Sequence, residues 1–110
     1  MALSTFSNVS LENVIKGGEQ VKRNEGIPAP NYWLQLYCFS SRKMSAKLIQ
    51  RAQAAGYKAV VLTVDVPYAG KRYNEIKNKF SPPSHIRPAN FIKPFVEDGN
   101  GIELLPLTYV

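Results

Sequence analysis

The stretch AVVLTVDVPYAGKRYNEIKNKF, residues 59–80, carries the clearest fold signal in the chain. Its first eight residues, 59–66, form an apolar run of strand length with no clean alternation. Such a run reads as a fully buried strand of a parallel sheet. The run closes on Thr63 and Asp65, a loop containing Pro67 and Gly70 follows, and Lys71 and Arg72 come next. A hydroxyl, a carboxylate and a guanidinium are thus set near the carboxyl end of one strand. In parallel α/β folds, chemistry collects at that end.

Earlier in the chain, YWLQLYCF at 32–39 has the aromatic content and length of a second strand. Gln35 and Tyr37 share one of its faces, because strand side chains alternate. A Gln inside so apolar a run is costly to bury unless both ends of its amide find partners. Between these strands, Ser40 or Ser41 is expected to cap a helix running to about Ala55, closed by Gly56. Met44, Leu48, Ala52 and Ala55 form its apolar stripe, with Arg42, Lys43, Lys47 and Arg51 on the wet face.

Upstream, Ala2, Leu3 and Ser4 read as the tail of another strand. A short helix over 10–16 follows, carrying Leu11, Val14 and Ile15 and ending at Gly17-Gly18. Residues 18–31, with Pro28 and Pro30, read as a loop. Beyond Phe80, the prolines at 82, 83, 88 and 94 mark a long loop. LLPLTYV at 104–110 is demoted to an edge strand or coil by Pro106. The order strand, helix, strand, helix, strand belongs to βαβ units and a parallel sheet.

With 110 residues, the chain has room for one domain with a modest core. Its net charge of +6 is spread over several segments with no run of five or six like charges, which argues against a nucleic-acid binder. No apolar run approaches the ~20 residues that span a bilayer. Residues 1–10 lack the pattern of a secretory signal. The ending Thr108, Tyr109, Val110 is not a Ser-Lys-Leu address. One cysteine, Cys38, permits neither an internal disulfide nor a multi-cysteine metal site, and no metal is expected. Cys38 reads as a small core hydrophobe, and His85, the single histidine, as a loop residue.

Four pieces stand in order: Leu3-Ser4, WLQLY at 33–37, LTVDVP at 62–67, and GKR at 70–72 with NKF behind it. Together they resemble the FMN-dependent 2-hydroxy-acid oxidase and dehydrogenase family, nearest to its glycolate oxidase branch. The resemblance spans most of residues 1–80 and continues weakly to Phe91, leaving 92–110 unmatched. It implies part of an eight-stranded (β/α)8 TIM barrel, roughly strands two to four, with FMN at the carboxyl end of the strands. It implies cofactor contacts from Ser4, Gln35 and Thr63, and substrate contacts from Tyr37 and Arg72. A planar Arg fork matches the carboxylate of a 2-hydroxy acid in two parallel bonds. Tyr37 and Asp65 take catalytic roles, Asp65 by pairing with a histidine that the family carries later in its chain.

Each residue taken singly has a plainer reading. Gln35 can be a satisfied buried amide, and Thr63 a favoured strand residue. Asp65 can start a turn, Arg72 can be a solvated charge, and Ser4 a turn residue. Order and spacing together favour the functional reading. A whole barrel takes ~250 residues, so the chain is expected to be a fragment, incomplete and inactive alone. It would belong to an FMN-dependent enzyme that oxidises an (S)-2-hydroxy acid, glycolate- or lactate-like, to a 2-oxo acid. The alternative is a non-catalytic remnant or interaction module of the same fold. The expected partner is a small 2-hydroxy acid, with no nucleic acid and no membrane. The full-length family member is expected to be a homo-oligomer, peroxisomal or cytoplasmic. The segment 16–31 is expected to be longer than its family counterpart.

Overall fold

A computed structural model describes residues 1–39, 41–65 and 70–91. Strand β1 (Ala2–Leu3) leads through a turn to helix α1 (Leu11–Glu25). Strand β2 (Trp33–Tyr37), helix α2 (Arg42–Ala55), strand β3 (Ala59–Thr63) and the short helix α3 (Tyr73–Lys77) follow. A 3-10 turn at Ala89–Phe91 closes the described chain. The three strands form one parallel sheet in the order β1-β2-β3. The expected α/β class and strand sequence are therefore present.

The sheet has two different faces. Leu3, Leu34 and Leu36 share a core with Leu11 of α1 and Leu48 and Ala52 of α2. Trp33, Gln35 and Tyr37 alternate to the opposite face. The register pairs Gln35 with Val61 and Tyr37 with Thr63, so Val61 and Thr63 share that opposite face. Val60 and Leu62 pair with Leu34 and Leu36 and share theirs.

β3 departs from the fully buried strand expected at 59–66. It ends at Thr63, and Val66 lies outside the described residues. Val60, Val61 and Leu62 are 42%, 41% and 54% exposed. The reason is position: β3 is the outer strand, and α1 and α2 cover the side of the sheet nearer β1 and β2. Its composition is that of a covered strand, and no described residue covers its outer part.

The first helix also departs from expectation. Instead of stopping at Gly17-Gly18, α1 runs on to Glu25 and closes at Gly26 in the left-handed conformation, φ 69°. Gly18 serves packing rather than termination. A Cβ there would stand 1.8 Å from the Tyr32 hydroxyl oxygen, so the missing side chain lets the phenol lie against the helix. Residues 19–25 then continue the helix with Glu, Gln, Lys and Arg, all good helix formers.

The second helix follows its expected course, with Ser41 as N-cap accepting from the Met44 N–H and Gly56 closing it at φ 97°. Ser40, the other cap candidate, lies outside the described residues, as does the whole tail from 92 on, including LLPLTYV. Ser45 joins Leu48 and Ala52 as buried, while Met44 and Ala55 are half-buried. Arg51 leaves the wet face to which the sequence assigned it. Its guanidinium forms two bonds to Glu12, Nε to Oε1 at 2.8 Å and Nη2 to Oε2 at 3.0 Å. Nη1 donates to the Asn90 main-chain oxygen at 2.5 Å. This clamp joins α1, α2 and the 3-10 turn. Burial works to raise the Glu12 pKa, but the Arg51 bond and charge and nearby donors outweigh it and hold the carboxyl below its usual 4.5. Cys38 is exposed rather than in the core, one residue beyond β2 and past the helices' cover.

Candidate functional site

The carboxyl ends of three neighbouring parallel strands bring Ser4, Gln35, Tyr37 and Thr63 to one edge of the sheet. Gln35 is its centre. The anomalous amide in an apolar strand has partners on both sides. Oε1 accepts from the Thr5 N–H at 3.2 Å, and Nε2 donates to Thr63 Oγ1 at 2.7 Å. The desolvation cost that made Gln35 conspicuous is thereby offset. The amide also ties the first strand's turn to the third strand across the second.

Ser4 stands one residue past β1, exposed, with its Oγ accepting from the Phe6 N–H at 3.2 Å. That bond leaves the hydroxyl hydrogen available to an incoming acceptor. Tyr37 is half-buried, with its ring 5.7 Å from the ring of Phe6. Phe6 in turn meets Phe39 and Phe91, an aromatic group that supports the Tyr37 side of the edge.

The other two expected site residues stand further out. Asp65 lies two residues past β3 and is exposed. Arg72 occupies the N-cap position of α3, exposed, with Nε 3.7 Å from Glu75 Oε1. A surface pair at that distance contributes little, so the guanidinium is readily recruited by a better anion. The connecting residues 66–69 lie outside those described. His85 is exposed in a turn of the loop, as expected.

Two residues of consequence escaped the sequence reading. Thr5 is fully buried, and besides its N–H bond its hydroxyl donates to the Gln35 main-chain oxygen. Asn90 is also fully buried. Its Oδ1 accepts from the Leu11 N–H at 2.9 Å, and its Nδ2 donates to the Thr5 main-chain oxygen at 3.0 Å. Ala89 N–H adds a bond to Ser7 O at 2.9 Å. The 3-10 turn thus staples the turn that carries Ser4, Thr5 and Phe6. Neither residue had a sequence signal stronger than an ordinary turn polar group, because both partners are distant in the chain.

The donors and acceptors fit the ring of FMN in kind. A flavin edge alternates carbonyl oxygens with an N–H, and Ser4, Gln35 and Thr63 offer hydroxyls and an amide in a row.

Comparison with known proteins identifies the family. The family model for FMN-dependent dehydrogenase matches residues 1–105. 2-Hydroxyacid oxidase 1 of Homo sapiens is 37% identical over 91 residues, which cover 83% of this chain and 22% of that protein. Glycolate oxidase 1 of Zea mays is likewise 37% identical over 91 residues, with the same coverage of both chains. Among solved structures, mandelate oxidase with benzoyl-formic acid superimposes with a TM-score of 0.68 at 37% identity, over 82% of this chain and 24% of that one. The chain spans about a fifth of the length of the curated relatives it matches.

Proposed function

The chain belongs to the FMN-dependent dehydrogenase family, and on that premise we propose that it supplies one wall of the flavin and substrate site of a 2-hydroxy-acid oxidase. The observation that carries this reading is Gln35 held between Thr5 and Thr63 at the carboxyl edge of three parallel strands. In a parallel α/β fold that edge is where ligands bind. The uncovered outer strand β3, apolar on both faces, fits a sheet that continues into a (β/α)8 barrel.

In this reading Ser4, Gln35 and Thr63 hydrogen-bond the flavin ring. FMN, when bound, accepts the two electrons released as a 2-hydroxy acid becomes a 2-oxo acid. The chain's own residues orient the reactants. Arg72 exchanges its weak contact with Glu75 for the substrate carboxylate, which its planar fork matches. Tyr37, braced by Phe6, places its phenol to donate to the substrate's carboxylate or its reacting oxygen. Asp65 pairs with a histidine from outside residues 1–110, fixing its tautomer and stabilising its imidazolium. The relatives are named for 2-hydroxy acids, glycolate and mandelate, so the reading is of a small 2-hydroxy acid, among which the edge around Tyr37 does not itself select.

The test is FMN binding by the protein at its native length, followed by the visible flavin spectrum after desalting. Retained flavin that bleaches anaerobically on adding a 2-hydroxy acid is the expected result. A folded protein that retains none refutes the reading and leaves the non-catalytic module of the same fold in its place.

A further inference from the structure

We propose that Thr5 is a positioning residue that sets the direction of the Gln35 side-chain amide, and so decides which way round the amide meets its ligand; this rests on the flavin reading above. Thr5 is fully buried and holds Gln35 twice, through its hydroxyl to the main-chain oxygen and through its N–H to Oε1 at 3.2 Å. The two ends of a side-chain amide have nearly the same shape and differ in donor and acceptor character. A backbone N–H only donates, so the end that meets Thr5 is the oxygen. Nε2 therefore faces β3, where it donates to Thr63 Oγ1 at 2.7 Å. Thr63 accepts that bond and keeps its own hydrogen to give.

The edge of the sheet thus has a polarity that runs from β1 to β3. First comes Oε1, with one lone pair taken by Thr5 and one left. Then comes the second Nε2 hydrogen, and then the Thr63 hydroxyl hydrogen. The complement is a ligand edge with an N–H toward β1 and a carbonyl toward β3, which is the chemistry of an imide such as the one in the flavin ring. If the amide were reversed, N–H would meet N–H and oxygen would meet oxygen. Thr5 prevents this without touching the ligand. Asn90 supports it in turn, by bonding the Thr5 main-chain oxygen at 3.0 Å.

The test uses the protein at its native length with glutamine labelled with 15N in the side chain. The Gln35 signals are assigned by their loss in Gln35→Glu. Without flavin, the two Nε2 hydrogens are expected to be well separated and slow to exchange with water. Replacing the peptide N–H of Thr5 by an ester oxygen, which removes only the donor that meets Oε1, should move them toward free-amide values, while Thr5→Val, which keeps that N–H, should leave them in place. FMN affinity should fall about tenfold in the ester variant, the effect of one buried hydrogen bond. It should not fall further when Gln35 is already Leu. Gln35 signals indifferent to the ester, or an equal loss of affinity in the Gln35→Leu background, overturn the proposal. Thr63→Val gives a second reading that does not depend on how the ester variant folds. It should shift one Nε2 hydrogen toward its free value, and a shift of neither means that Nε2 does not face β3. If the wild type binds no FMN while Thr5 still governs the Gln35 signals, the flavin reading falls and the orienting role of Thr5 stands.

Discussion

Asn90→Ala tests the staple that holds the site's first turn in place. The side chain bonds two groups on fully buried residues, the Leu11 N–H and the Thr5 carbonyl. Each group left without a partner costs roughly 1–3 kcal/mol. Relief of the Asn side chain's own burial offsets part of this, so the expected loss is ~2–4 kcal/mol. The Arg51 bond to residue 90 goes to its main-chain oxygen and survives the substitution, which isolates the side chain. Equilibrium urea unfolding followed by circular dichroism measures the loss, and hydrogen exchange at the Leu11 amide locates it. Asn90→Asp sharpens the test. The introduced carboxylate still accepts from Leu11 N–H but sets an oxygen against the Thr5 oxygen, and it is a buried charge. Its folded pKa is therefore raised above the unfolded value of ~3.9. A raised pKa means stability that is fully present below the unfolded value and lost as pH rises through the folded one. The variant should approach wild type at low pH and fall away toward neutrality. A loss under ~1 kcal/mol in Asn90→Ala, or a pH-independent gap between Asn90→Asp and wild type, refutes the reasoning.

The two adjacent glycines of α1 should respond in opposite directions. Gly17 has open space around it, so Gly17→Ala should stabilise by about 0.5–1 kcal/mol through helix propensity. Gly18→Ala forces its methyl into the buried Tyr32 phenol and should destabilise by ~1–3 kcal/mol, with partial rescue by Tyr32→Phe in a urea double-mutant cycle. The Glu12 pKa is lowered on folding, so its contribution is present above pH 4.5 and is lost as pH falls through the lower folded value. Arg51→Met should remove most of that acid dependence from the unfolding curve. Burial, with the Glu12 charge and Tyr32 adding to it, pushes the Tyr57 phenol up to about 12. Ultraviolet titration should find one tyrosine ionising there, with its contribution to stability present below pH 10 and lost as pH rises through about 12.

What was legible in the sequence was whatever depends on neighbours close in the chain. The Ser41 cap and the Gly56 stop of α2 are local rules, and both hold. Gln35 was legible as a cost demanding partners, and the structure supplies them. What was hidden depended on distant contacts. Gly17-Gly18 carries a stop signal only when read locally. Tyr32, fourteen residues on, gives Gly18 its actual use. Arg51 looked like any wet-face cation because Glu12 lies 39 residues away. Thr5 and Asn90 are 85 residues apart, and a buried Asn after a proline-rich stretch has no pattern of its own. The polar positions that hold the site's shape were therefore harder to see than those that would touch a ligand.

β3 shows the same difference in scale. Its sequence reads as a strand covered on both sides, while Val60, Val61 and Leu62 stand about half exposed. Both statements follow from one cause. Composition records the environment in which the strand was selected, and exposure records what the described residues cover. Burying such side chains is worth ~1.5–3 kcal/mol each when complete. Three of them half covered, at a strand edge with no partner strand among the described residues, leave several kcal/mol to be gained by covering them. The polar edge that holds Gln35 and Thr63 lies at the carboxyl end of that same unfinished surface. On the proposed reading, covering β3 and closing the ligand site are one event. A variant with Val60 and Leu62 replaced by Lys should keep the Gln35–Thr63 bond yet lose both the covering partner and the flavin.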